Sequence, residues 1–141
     1  MIGKDKYAHR LRKINLQHLF GDVFDEIYCA GDFRKPKKEI LQSKFKNNCV
    51  PLDDLSIKEI LPIIKNCNLS ICNDSSFSHL SAALNIKTIT LMVDTPIIYG
   101  NYNSKMFPII PDGETTVSHH TYGKDKMNPQ KIFDTAIAIL N

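Results

Sequence analysis

Between Asn68 and Leu84 the chain reads Asn-Leu-Ser-Ile-Cys-Asn-Asp-Ser-Ser-Phe-Ser-His-Leu-Ser-Ala-Ala-Leu, an apolar run that ends abruptly in polar, cap-forming residues and then takes on helical spacing. Taken alone, Asp74-Ser75-Ser76 is also an ordinary helix N-cap. Leu69, Ile71 and Cys72 predict a short buried strand, Asn73 and Asp74 a turn, and Ser75 or Ser76 the cap of a helix that points Leu80, Ala83 and Leu84 inward. A helix start carries unpaired backbone N–H groups and a partial positive charge, so an anion, and a phosphate in particular, fits there.

The flanking sequence extends the pattern into alternating strands and helices. Asp5 to Phe20 has Tyr7, Leu11, Ile14 and Leu19 at near-helical spacing and stops at Gly21-Asp22. Glu26–Ala30 predicts a strand, Pro36 opens a helix running through Ile40, Leu41 and Phe45, and Cys49-Val50-Pro51 is a brief extended piece. Ser56-Ile57-Lys58-Glu59 matches the capping box and opens a helix through Ile60, Leu61, Ile63 and Ile64, with Pro62 either inside it or in the first turn of a later start. Thr88–Val93 is a β-branched strand, Asp94–Lys105 a polar, turn-rich loop, and Phe107–Ile110 an edge strand, because Pro108 cannot donate to a ladder. After a second loop over Asp112–Lys126, Asn128-Pro129 caps a closing helix with Ile132, Phe133, Ala136, Ile137 and Leu140 on its inner face. The expected fold class is α/β: a Rossmann-like parallel sheet flanked by helices on both faces, as a single domain over residues 1–141. In such sheets ligands bind beyond the carboxyl ends of the strands, where Asn73 and Asp74 fall.

Composition narrows the partners. The 141 residues are 43% hydrophobic, enough for a core, and the net charge of +3 arises from 18 basic residues interspersed with 15 acidic ones. That mild bias suits anionic small molecules. Without Trp, and without aromatic residues interleaved with basic ones, the chain is not expected to bind nucleic acid. No apolar run approaches the roughly 20 residues that cross a bilayer, and Met1–Lys6 has no signal-peptide core, so the expected location is cytoplasmic. The basic run Arg34-Lys35-Pro36-Lys37-Lys38 reads as solvated surface that could rest against an anionic membrane, at its inner face. Cys29, Cys49, Cys67 and Cys72 contain no C-x-x-C pair and read as buried thiols of a reducing compartment. His119-His120 lacks a completing carboxylate or Cys, so a solvated loop is expected there, and no metal.

Three blocks together carry a family resemblance: Leu55–Leu61, Asn68–Ser76 and His79–Leu91. They resemble the C-terminal half of the ADP-heptose:lipopolysaccharide heptosyltransferases, glycosyltransferases in which two Rossmann-like domains face a cleft (the GT-B arrangement) and the second holds the nucleotide-sugar donor. The resemblance covers roughly residues 25 to 140 and is strongest from 55 to 96. It implies that Asp74 meets donor sugar hydroxyls, that the N–H groups of Ser75 and Ser76 meet the diphosphate, and that His79 stands at the phosphate side. Asp32, just after a strand end, is a further candidate for ribose hydroxyls, with a simple turn aspartate as the plainer reading. Lys4, Lys6 and Arg10 are placed to neutralise diphosphate, or only to solvate a helix face.

The implied activity is glycosyl transfer from ADP-heptose or another nucleoside-diphosphate sugar, in lipopolysaccharide or related glycan synthesis, with no metal or other cofactor. The family keeps its acceptor site and general base in the N-terminal domain, and none of these residues supplies them. The isolated chain is therefore expected to be catalytically incomplete, with no catalytic residue of its own and a separate acceptor domain or chain completing the cleft. Two positions favour an alternative, a degenerate non-catalytic binding or assembly module: Ser76 stands where the family has Gly, and Met92-Val93-Asp94-Thr95 replaces a Phe-Gly-Pro-Thr-like turn, which adds a negative charge. A dehydrogenase is disfavoured, because no G-x-G-x-x-G is present.

Overall fold

The structure, a computed structural model, describes residues 27–29, 49–52 and 54–141, with 27–29 and 49–51 as backbone only. The expected helices over Asp5–Phe20 and from Pro36 to Phe45, and the residues Lys4, Lys6, Arg10, Asp32 and Arg34–Lys38, lie outside the described residues. The chain divides into two compact units, Met1–Ile60 and Leu61–Asn141.

In the first unit β1 (Ile27–Cys29) pairs in parallel with β2 (Cys49–Pro51), in the register Ile27 to Cys49 and Cys29 to Pro51. Helix α1 (Ile57–Lys65) begins directly after Ser56. The Glu59 carboxylate accepts from the Ser56 N–H at 2.8 Å and from its hydroxyl at 2.6 Å, the reach-back half of the capping box read from the sequence. Of the two placements open for Pro62, the interior one is found, and its exposure lets solvent take the carbonyl it cannot meet.

The second unit is a parallel sheet in the order β3 (Leu69–Asn73), β4 (Lys87–Leu91), β5 (Met106–Ile109). Between β3 and β4 runs helix α2 (Ser76–Ala83), and after β5 the chain returns as α3 (Pro129–Leu140). The register sets Ser70 beside Thr88 and Cys72 beside Thr90, so these four side chains share one face, while Leu69, Ile71, Lys87, Ile89 and Leu91 share the other. Helix α2 covers the first face, where the Ser81 hydroxyl donates to the Ser70 hydroxyl at 3.0 Å. Helix α3 covers the second, where the Lys87 ammonium donates to the Ile139 carbonyl. The sheet is thus covered on both faces, and Ile89, Leu91, Ile109, Ile132 and Ala136 form a buried core.

One sequence expectation is corrected. Helix α2 turns Ser78, Ser81 and Ala82 inward, whereas Leu80 and Leu84 are half-buried and Ala83 is exposed. The opposing face of the sheet is made of Ser70, Cys72, Thr88 and Thr90, and small residues let the helix sit close enough for Ser81 to reach the Ser70 hydroxyl, which leucines would not. The helix ends with Asn85 in the left-handed region at φ 66°, its N–H donating to the Ala82 carbonyl while Ile86 donates to Ser81, both at 3.0 Å.

Residues 92–105 cross from β4 to β5 with only a short 3-10 turn at Ile97–Gly100. This crossover lies on the α2 side of the sheet, since a Cβ at Gly100 would run into the Met92 sulfur and come within 3.2 Å of Thr90 Cγ2. Edge strand β5 tolerates Pro108 for a geometric reason. The Ile109 carbonyl accepts from Met92 N–H at 2.9 Å, which turns the polar groups of Ile109 toward β4 and those of Pro108 to the open side. At α3 the Asn128 side chain accepts from the N–H groups of Gln130 and Lys131 at 3.0 and 3.4 Å, and its amide donates to Asp112 at 2.8 Å. No helix among the described residues is long and apolar enough to cross a membrane.

Two outcomes are expected. Met92 is fully buried and cannot swing away, so Gly100→Ala should lower stability by about 1–3 kcal/mol in urea unfolding. Glu59 is held below the ordinary carboxylate range by its hydrogen bonds to the Ser56 side chain and backbone. Its contribution is then present above the unfolded carboxylate value and lost as pH falls through the lowered folded value. The stability gap between wild type and Glu59→Gln should therefore be constant near neutrality and close in acid, as followed by denaturant midpoints across a pH series.

Candidate functional site

The site is built where β3 ends. Asn73 is the last residue of the strand, Asp74 makes the turn, and Ser75, in extended conformation at φ −161° and ψ 168°, is the N-cap of α2. Of the two serines read as the cap, Ser75 fills the position and Ser76 is the first helical residue, with its side chain exposed. Ser78 secures the turn: its hydroxyl donates to the Ser75 carbonyl at 2.6 Å and accepts from the Ser75 N–H at 3.2 Å. The N–H groups of Ser78 and His79 fold back on the Ser75 carbonyl at 3.0 and 3.5 Å. Those of Ser76 and Phe77 have no backbone acceptor within the turn and face outward with the positive end of the helix dipole.

Beside this opening stand two acceptors and an imidazole. Asn73 Oδ1 and Asp74 Oδ1 are buried without a hydrogen-bond partner among the described residues. An orphaned carboxylate oxygen under a helix start is costly unless something donates to it. His79, one turn into α2, has Nε2 3.5 Å from Asp74 Oδ1; its side chain is 39% exposed and that of Asp74 is 14% exposed. At the other ring nitrogen, Nδ1 lies 2.6 Å from the Tyr102 hydroxyl, with the two rings stacked at 5.6 Å and 19°.

Asp74, Ser75, Ser76 and His79, read from the sequence as one motif, lie together at one strand end, while Asp32 lies outside the described residues. Tyr102 was missed. It sits in the stretch read only as a polar loop, and the signal that could have found it is that this loop leaves the carboxyl end of the neighbouring parallel strand. Asp94 stands exposed in the turn after β4.

Comparison with known proteins gives this geometry a family. The family model described as glycosyltransferase family 9 (heptosyltransferase) matches residues 34–136. The chain belongs to glycosyltransferase family 9. Among solved structures, the Escherichia coli heptosyltransferase WaaC with ADP matches with a TM-score of 0.69 at 16% identity, over 92% of this chain and 39% of that one. At that identity the likeness concerns the fold, and it bears out the α/β reading of a Rossmann-like parallel sheet resembling one half of a GT-B arrangement. The chain spans 39% of the length of that heptosyltransferase structure. A search of curated proteins returns no match.

The remaining candidates among the described residues take no part in this cluster. His119 and His120 are exposed in a turn whose backbone is tied by Ser118 and Thr121, and no group of three His, Cys, Asp or Glu side chains among the described residues could hold a metal ion. Cys72 is buried and Cys67 half-buried, both as free thiols, and burial pushes both thiols above the ordinary cysteine value.

Because Ser78 is fully buried and serves both polar groups of Ser75, Ser78→Ala should cost about 1–2 kcal/mol, measured by urea unfolding.

Proposed function

We propose that Leu61–Asn141 forms a donor site for a nucleoside-diphosphate sugar, with ADP-heptose as the leading candidate, in a glycosyl transfer that serves lipopolysaccharide or related glycan synthesis. The observation that carries this reading is the pairing of an open helix start with an orphaned carboxylate oxygen, at the carboxyl end of a parallel strand. Family membership supports the reaction class, and the solved E. coli relative supports the nucleotide, since its structure holds ADP.

In this reading the diphosphate meets the N–H groups of Ser76 and Phe77, in place of the expected Ser75 and Ser76 because the Ser75 N–H donates to the Ser78 hydroxyl, and the sugar hydroxyls donate to Asp74 and Asn73. As the glycosidic bond breaks, negative charge grows on the leaving diphosphate. The helix start, aimed there before the reaction, stabilises that charge without reorganising. His79 adds a donor on the same side. The chemistry requires neither metal nor other cofactor from this unit. The acceptor site and the general base would come from a partner domain or chain, corresponding to the part of the E. coli structure that this chain does not match. We place the reaction in the cytoplasm at the inner face of a membrane, with Arg34–Lys38 as the basic stretch that an anionic surface would attract.

Calorimetry with ADP, ADP-heptose and a GDP sugar tests the proposal. The chain should bind ADP, and Asp74→Ala should weaken ADP-heptose by roughly tenfold or more, and by more than it weakens ADP, because loss of a charged acceptor costs about 1.5–3 kcal/mol. Absence of binding by any of the three would favour the alternative of a non-catalytic module with the same fold, which Ser76 and Asp94 support.

A further inference from the structure

Tyr102 is hard to explain as a packing residue. The residue is 60% exposed, on a crossover whose buried anchor is Gly100 rather than any aromatic ring. What it does make is a 2.6 Å contact with His79 Nδ1 and a near-parallel stack on the imidazole. Tyr102 thus buries little, and its main effect is on the direction and tautomer of one ring.

The charge on the other side of that ring decides which way the proton lies. Were Nδ1 protonated and donating to the phenol oxygen, the bare lone pair of Nε2 would face Asp74 Oδ1 at 3.5 Å, setting acceptor against acceptor in a half-buried place. The opposite arrangement has no such conflict: the phenol donates to Nδ1, and Nε2 carries the hydrogen. At 3.5 Å that N–H is too far from Asp74 to be consumed by it, so it remains available to a third group.

We propose that Tyr102 is a positioning residue of the donor site: its hydroxyl holds His79 in the tautomer whose Nε2–H is free to donate to an anionic oxygen of the ligand, between Asp74 and the first turn of α2. The inference rests on the donor-site reading and adds to it a dependence on the β4–β5 crossover. A ligand that engages Nε2 is then sensed by a residue 23 positions away in sequence, and Tyr102 governs diphosphate affinity without touching the diphosphate.

The test uses the whole chain as Tyr102→Phe, with Tyr99→Phe as a control, since Tyr99 is an exposed tyrosine of the same crossover. Nitrogen-15 NMR of the imidazoles, recorded at the basic end of a pH series, reads the tautomer before any ligand is added. Expected are a protonated Nε2 and a hydrogen-bonded Nδ1 in wild type, an Nδ1 resonance that moves in Tyr102→Phe alone, and ADP affinity lower by about threefold to tenfold in that variant, the usual range for one hydrogen bond. A protonated Nδ1 in wild type, or Tyr102→Phe with unchanged imidazole resonances or unchanged ADP affinity, would overturn the inference. If the resonance moves but wild type binds no ADP, the donor-site reading fails, and with it the role of Tyr102 in that site, whereas the hydroxyl–imidazole coupling stands as measured.

Discussion

The close seating of α2 on the sheet is the constraint from which the rest of the second unit follows. Ser81 bonds to Ser70 across the interface, and Ser78, Ser81 and Ala82 are small enough to let the helix settle on a strand face of Ser70, Cys72, Thr88 and Thr90. A leucine-rich helix face would have stood farther off and left the Ser70 hydroxyl without Ser81. Once α2 is fixed at that depth, its first turn emerges at the carboxyl end of β3, and the opening at Ser76 and Phe77 has only one place to be.

The same face receives the crossover from β4 to β5. Two successive connections on one side move the chain in one direction across the sheet, from β3 to β4 to β5, as right-handed parallel crossovers do. Gly100 keeps the second connection flat against Met92 and Thr90, and this brings Tyr102 within reach of His79. The polar cluster therefore draws one of its members from a connection that is seated by contacts remote from it.

Much of the site was legible beforehand because its parts are local. Asn73, Asp74 and Ser75 sit in a turn whose conformation short polar side chains favour for themselves, and His79 follows by helical periodicity. The strands were legible as apolar, β-branched runs, with ends shifted by one or two residues where Lys87 and Met106 join ladders that their neighbours dictate. The inward face of α2 was misread for a physical reason. Helical spacing marks Leu80, Ala83 and Leu84 as apolar, but burial goes to whatever complements the opposing surface, and here that surface is hydroxyl-rich. Tyr102 was not legible, since nothing local to Asn101–Asn103 states which strand end its loop passes.

Among the described residues, the sequence by itself determined the order of strands and α-helices, the cap at the start of α2, and the family to which those motifs belong, because capping, alternation and turn chemistry act within a few residues of one another. Only the tertiary structure decided which face of α2 is buried, why Pro108 is harmless in β5, and that a tyrosine from a distant crossover meets the site histidine. Each of these is settled by which surfaces meet when the parallel sheet is assembled. That meeting joins residues far apart along the chain, and local patterns carry no record of it.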